Sequence, residues 1–407
     1  MSTIAFLLDV EEGHFLSTFG LAHGLRTRGH SVCYLGLGGA EALVRQQGFD
    51  FIPIFSETLS GTRMTDIEVS GPFGTTRALV EGWLDGAFGR LRPDAVIQLS
   101  LFSLEAAIVE RRYGLPVVLL TPQYRSDVRA VALERQIRNR FSRMRPQLAQ
   151  KVLATLAGED RRARSFADLA RLLLSMPDLV LLPREFDLPE LAADPHVTYI
   201  GAGVDLARAE EPFPWEALDP RLPLVYCSLG SQADLASHPD RPRRFFHCVI
   251  EAAAARPDLQ IVLSVGRGFA PSELPVRSPN LYVAGWIPQM TVLGRASLMV
   301  SHAGIGTIKE CILKGVPLVV LPLMRDQFES ARRVVHHGLG LEGGLEDLTP
   351  AGLLALIDAV AGDPAFRRRV GAMRDRFLES NDASLGASVV EAEIARRAAT
   401  CNAPRTG

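Results

Sequence analysis

Between Trp286 and Gln327 the chain reads WIPQMTVLGRASLMVSHAGIGTIKECILKGVPLVVLPLMRDQ. Within these 42 residues stand an aromatic ring, a histidine, a glycine-rich turn, a threonine, a glutamate and an Asp-Gln pair. Leu298–Val300 is apolar enough for a buried parallel strand, after which the chain turns through Ser301-His302-Ala303-Gly304-Ile305-Gly306-Thr307. A helix starts near Ile308-Lys309-Glu310, and Val316–Pro322 supplies the next strand, which makes the segment a βαβ unit. The start of a helix offers unpaired N–H groups and a partial positive charge, so it is an anion site. Glycines let backbone amides approach phosphate oxygens with no Cβ in the way. A single Gly-x-Gly corner says little, because strand-to-helix corners need glycine anyway. The order and spacing of the whole set suit a diphosphate with a sugar attached.

In residue types and spacing the segment resembles the donor-sugar signature of the family 1 (UDP-glycosyltransferase-like) glycosyltransferases. The resemblance implies a role for each position. Trp286 stacks on the base, the backbone of Ile287 meets the base edge, and Gln289 lies near the ribose. His302 and Thr307, with the amides around Gly304 and Gly306, hold the diphosphate. Glu310 accepts hydrogen bonds from ribose hydroxyls, and Asp326 and Gln327 hold hydroxyls of the donor sugar. Gly306 stands where plant members usually carry Asn, which leaves more of the phosphate binding to the backbone. The turn Ser228-Leu229-Gly230-Ser231 resembles the family's Ser-x-Gly-Ser turn, which brings Ser231 to the phosphates and the reacting sugar.

A transferase also needs a group to take the acceptor's proton. After the first predicted strand the chain reads Asp9-Val10-Glu11-Glu12-Gly13-His14-Phe15, a strand-end loop leading into a helix. It resembles the Gly-His loop of the same family, which implies that His14 is the general base. An imidazole that titrates near neutral pH suits that role. One departure stands out: Leu99 occupies the strand end where family members often carry an Asp that orients this histidine. Ser100, Ser103, Glu105, Glu11 and Glu12 are the candidates to replace it. The chain contains no D-x-D sequence, so a metal-independent transfer is expected, with no cofactor beyond a UDP- or dTDP-sugar donor, and the resemblance implies that it is inverting.

These residues need strands to hold them at one edge. Runs at Ile4–Leu8, Ser31–Gly36, Phe51–Ile54, Ala95–Leu99, Val117–Thr121, Leu179–Leu182 and Val197–Ile200 read as strands of a first half. Ser17–Arg28 has helical periodicity and stops at Gly29. Leu224–Ser228, Gln260–Ser264, Leu281–Ala284, Leu298–Val300 and Val316–Pro322 read as strands of a second. Alternation of strand and helix predicts parallel α/β sheets, whose ligands bind beyond the carboxyl ends of the strands. The expected organisation is an acceptor-binding domain over 1–204, a Pro-rich acidic linker over 205–223 and a nucleotide-sugar domain over 224–383. A helical tail over 384–407 is expected to pack back on the first domain. The resemblance implies a GT-B fold: two facing, doubly wound Rossmann-like domains with a cleft between them.

Composition narrows the alternatives. The 407 residues are 47% hydrophobic and 22% charged, with a net charge of −2, which gives no basic excess for nucleic-acid binding. Five scattered cysteines without a C-x-x-C pair read as buried thiols in a reducing compartment. No stretch approaches the ~20 apolar residues of a spanning helix. The N-terminus reads as a strand and not a signal peptide, so a cytoplasmic protein is expected.

The segments Ser56–Trp83 and Tyr124–Leu174 are expected to line the acceptor pocket, and Phe73, Leu79 and Trp83 favour a small, largely apolar natural product. Arg125 to Lys151 holds eight positive residues against Asp127 and Glu134. They read as a solvated helical face or, alternatively, as a contact with anionic membrane lipid and a lipid-like acceptor. Two further readings are a nucleotide-sugar epimerase and a non-catalytic binding protein on the same fold. The sequence leaves the oligomeric state open.

Overall fold

The computed structural model describes residues 1–8, 12–36, 38–53, 73–100, 103–125, 130–157, 165–189, 191, 193–206, 208, 210–230, 240–266, 268–275, 278–324 and 326–402. The chain divides into two compact units, Met1–Asp205 with Ser380–Gly407 and Leu206–Glu379.

The first unit is built on seven parallel strands: β1 (Thr3–Leu7), β2 (Ser31–Gly36), β3 (Asp50–Pro53), β4 (Ala95–Leu99), β5 (Val117–Thr121), β6 (Asp178–Val180) and β7 (Val197–Tyr199). Their order is β3-β2-β1-β4-β5-β6-β7. Successive residues of a strand point to opposite faces, so both must be apolar when helices cover both. Ile4 and Phe6 of β1 join one buried cluster with Tyr34, Ile97 and Leu120. Ala5 and Leu7 join the other, with Leu35, Val96 and Leu119.

The second unit has β8 (Leu224–Ser228), β9 (Gln260–Ser264), β10 (Leu281–Ala284), β11 (Leu298–Ser301), β12 (Leu318–Val320) and β13 (Gly340–Glu342), all parallel. The order β10-β9-β8-β11-β12-β13 is the dinucleotide-fold order of a Rossmann sheet. In each unit the strand order reverses beside the first strand, at β1/β4 and at β8/β11. Such a reversal opens a crevice at the strands' carboxyl ends.

Three sequence expectations shift. The first helix spans Glu12–Thr27, so His14 sits inside its first turn and not in a loop before it. Gly13 hides this start, since glycine weakens the helical pattern that Ser17–Arg28 carries strongly. Strand β13 has no counterpart among the predicted strands, because three residues are too few to show a period. Gly340 is required there, since a Cβ would collide with the Leu318 carbonyl of β12. The segment expected to be a linker is tied into the second unit through Arg208 and Glu210.

The C-terminal helix, Ala383–Asn402, packs on the helix Glu12–Thr27 through small residues. A Cβ on Gly24 would stand 3.0 Å from that of Ala383, and one on Gly386 would stand 2.8 Å from Leu21 Cδ1. Ala387 and Val390 are fully buried in the first unit's core. At the rim, Arg28 donates to both oxygens of Glu391 at 2.7 and 3.1 Å, and His30 Nε2 lies 2.9 Å from Glu391 Oε1. The apolar contact should dominate, because exposed ion pairs contribute at most about 1 kcal/mol. Ala387→Asp should therefore destabilise the protein by roughly 3 kcal/mol or more through an unpaired buried charge. Glu391→Gln should cost less than about 1 kcal/mol. Denaturant unfolding of both variants checks the order, and the reverse ranking would refute it.

Candidate functional site

At the β8/β11 reversal, Ser228 and Ser301 end neighbouring strands as register partners, and Ser228 also pairs with Ser264 of β9. Each of the first two hydroxyls accepts the backbone N–H two residues on: Gly230 N at 3.1 Å from Ser228 Oγ, and Ala303 N at 3.2 Å from Ser301 Oγ. This side-chain bond mimics a turn and reverses the chain at once. Gly230 then adopts φ +80° and Ala303 φ +64°. For alanine that conformation costs about 1–2 kcal/mol, so the surroundings must enforce it.

His302 is held between the two turns. A Cβ on Gly230 would stand 2.5 Å from its Cε1, and one on Gly304 would stand 2.5 Å from its Nε2. The imidazole thus fills the space that two absent side chains leave. Its Nδ1 is buried without a hydrogen-bond partner. Burial pushes His302 down to about 4, so the ring is neutral at pH 7 and carries a single N–H. A neutral ring can offer that N–H to an anion but brings no positive charge. Positive potential comes instead from the helix Ile305–Lys314, whose cap residue, Gly304, has no side chain to satisfy the first-turn amides. Thr307 stands in that turn, and a Cβ added to Gly306 would meet nothing within 4 Å. Lys309, behind it, is 2% exposed, and burial pushes its ammonium down to about 7.

The next turn carries Glu310, 8% exposed. Gln289 donates to Glu310 Oε2 at 2.6 Å and lies 3.4 Å from Thr307 Oγ1, so three of the predicted residues share one hydrogen-bond chain. Two groups that sequence reasoning missed complete it. Arg208 donates to Glu310 Oε1 at 3.1 Å and to Glu210 at 2.9 Å, and Glu210 accepts the amides of Met290 and Thr291. The segment that carries them lies 80 or more residues from Met290, Thr291 and Glu310, beyond the reach of any local pattern.

Trp286 stands in the loop after β10 with 48% of its surface exposed, whereas Ile287 beside it is buried. An exposed ring offers a stacking face, and the buried Ile287 side chain fixes the backbone next to it. Asp326 precedes the helix Gln327–His336 beyond β12. Gln327 Oε1 accepts the amides of Leu323 and Met324 at 2.8 and 3.0 Å, which fixes the loop that carries both residues.

In the first unit, His14 is half-buried, and its carbonyl accepts the Ser17 hydroxyl at 2.7 Å. Leu99 is fully buried among Phe6, Phe15 and Ile97. Two candidate replacements for the missing carboxylate are engaged elsewhere. Glu105 receives Thr76 and Arg140, and Ser100 Oγ lies 2.8 Å from the Thr121 hydroxyl. Ser231, Glu11 and most of the Ser56–Trp83 segment lie outside the described residues, as do the side chains of Glu12 and Ser103. The described cysteines, Cys33, Cys227, Cys248 and Cys311, are buried free thiols. Among the described residues, no helix is long and apolar enough to cross a membrane.

The clamp on His302 makes a stability prediction. Gly230→Ala should lower stability by about 1–3 kcal/mol, because it combines a left-handed backbone with a clash against the ring. Gly306→Ala, in an open helical position, should leave stability unchanged or raise it by about 0.5–1 kcal/mol. Thermal unfolding separates the two, and equal effects would show that the ring is not clamped.

Comparison with known proteins places these features. Residues 172–377, about half of the chain, match the family described as UDP-glucoronosyl and UDP-glucosyl transferase. Demethyllactenocin mycarosyltransferase of Streptomyces fradiae is 27% identical over 96% of this chain and 86% of its own length. The solved glycotransferase of kitacinnamycin shares 26% identity at a TM-score of 0.73, with 97% of this chain and 99% of that one covered. The calicheamicin glycosyltransferase CalG4 shares the fold at a TM-score of 0.74 and 24% identity, over 97% and 99% of the two chains. With its two Rossmann-like units of the GT-B type, the chain belongs to the UDP-glucoronosyl and UDP-glucosyl transferase family.

Proposed function

We propose that the protein is an inverting, metal-independent glycosyltransferase that moves a sugar from a UDP- or dTDP-sugar to a hydroxyl of a small, largely apolar natural product. The observation that carries this reading is His302, clamped neutral at the start of an uncapped helix, with Thr307, Gln289 and Glu310 linked beside it. The relative from Streptomyces fradiae, named as a mycarosyltransferase, supports a sugar as the transferred group.

In the proposed reaction His14 takes the proton of the acceptor hydroxyl as its oxygen bonds to the anomeric carbon. The bond from that carbon to the diphosphate breaks in the same step, and the configuration inverts. Negative charge grows on the departing diphosphate, where the first-turn amides and the His302 N–H are preorganised to receive it. Trp286 stacks on the base, Glu310 takes ribose hydroxyls, and Asp326 and Gln327 take sugar hydroxyls. Ser231, Gly304 and Gly306 line the phosphates. No D-x-D pair is available in the sequence for a chelated metal, which supports transfer without one. Four of the eight basic residues between 125 and 151 pair within the chain: Arg125 with Asp194, Arg138 with Glu134, Arg140 with Glu105 and Lys151 with Glu81. That pairing supports a solvated protein face over a lipid-binding one.

His14→Ala should slow transfer by about 10²–10⁴-fold, the usual contribution of a general base, with UDP affinity nearly unchanged. Turnover at the wild-type rate would remove His14 from the mechanism. EDTA should leave the initial rate of the wild-type protein intact, and a strict need for a divalent ion would refute the metal-free step. A panel of UDP- and dTDP-sugars scored by thermal shift identifies the donor, since a ligand bound to the folded state raises its apparent stability. Conversion of a donor with no acceptor present would favour an isomerase instead.

A further inference from the structure

The hydrogen bonds around Glu310 close into a ring. Glu210 accepts the amides of Met290 and Thr291, next to Gln289; Gln289 donates to Glu310 Oε2; Arg208 Nη1 donates to Glu310 Oε1; and Arg208 Nη2 returns to Glu210 at 2.9 Å. All four side chains are partly or wholly buried, with Arg208 18% exposed and the two glutamates 10–11%. Burial would raise the Glu210 carboxyl, yet Arg208 and the two amides hold it below its usual range. Arg208 stands in the segment that enters the second unit, far in sequence from Gln289 and Glu310.

We propose that Arg208 is a positioning residue of the nucleotide site, which fixes the Glu310 carboxylate for the ribose. This rests on the reading of Glu310 as the ribose ligand. A carboxylate has about four lone-pair directions. Arg208 takes one on Oε1 and Gln289 one on Oε2, so each oxygen keeps one for a hydroxyl. Two remaining acceptors match the two hydroxyls of a ribose. The guanidinium also reduces the charge of the Glu210/Glu310 pair from −2 to −1 beside a site meant for a diphosphate. Without it, two buried carboxylates would repel each other and the nucleotide. Arginine's planar fork is what allows one side chain to bridge both, and lysine cannot reproduce it.

The test is a double-mutant cycle read with two probes, UDP and inorganic pyrophosphate, by calorimetry on the full chain. R208M should weaken UDP about tenfold, the size of one lost charge-assisted hydrogen bond. E310Q should weaken UDP comparably, and R208M/E310Q should be no weaker than the worse single variant, since coupled residues are not additive. Pyrophosphate, which lacks a ribose, should lose clearly less affinity on R208M than UDP does, only the share owed to the uncompensated carboxylate charge. R208K should fall between wild type and R208M. If R208M fails to unfold cooperatively, the same cycle with R208K decides. Unchanged UDP affinity, strictly additive losses, or an equal loss of pyrophosphate would overturn the proposal, the last by showing a general structural role. If wild type binds neither UDP nor dTDP, the nucleotide reading itself fails, an outcome separate from all of these.

Discussion

The site of the second unit depends on the pairing of Ser228 with Ser301 across β8 and β11. Their hydroxyls cap the backbone two residues on, and both strands therefore reverse at the same height. That coincidence creates the slot for the His302 ring. Ala303 is held in a left-handed conformation that alanine avoids, and it is fully buried. Backbone strain of this kind persists only where packing over-determines it. The strand register thus sets the turns, the turns set the ring, and the ring stands at the helix start where an anion would be met.

Electrostatics around the slot follow from burial more than from formal charge. His302 is held neutral by burial of its ring, whose Nδ1 is shielded from solvent. Lys309, in the helix that follows, is driven toward neutrality by burial and contributes a weakened charge. Backbone amides are then the preorganised donors. They suit a leaving group because they need no reorganisation when charge develops. Arg208 bridges Glu310 and Glu210, so their charges are partly compensated within the protein.

Much of this is legible in the sequence because it is local. The residues from Trp286 to Gln327 lie on consecutive strand ends, so their spacing alone brings Gln289, His302, Thr307 and Glu310 toward one edge. The strands of both sheets show as apolar runs for a related reason, since parallel strands are buried on both faces. What the sequence hides is short or long-range. Gly340–Glu342 is too brief to carry a period, and Gly13 masks the start of the first helix. Arg208 and Glu210 look like ordinary charges of a Pro-rich connection. Their meaning lies in contacts with Glu310 and the Gln289 helix, which no spacing rule predicts.

The first unit poses a sharper constraint on catalysis. Leu99 ends β4 fully buried against Phe6, Phe15 and Ile97, so its position belongs to the core and not to an open polar edge. A carboxylate there would be desolvated by the same neighbours, and ionising it would cost several kcal/mol without a partner. Glu105, in the first turn of the following helix, is paired with Arg140 and Thr76, and burial raises its carboxyl despite them. The strand end has thus traded the orienting carboxylate for packing.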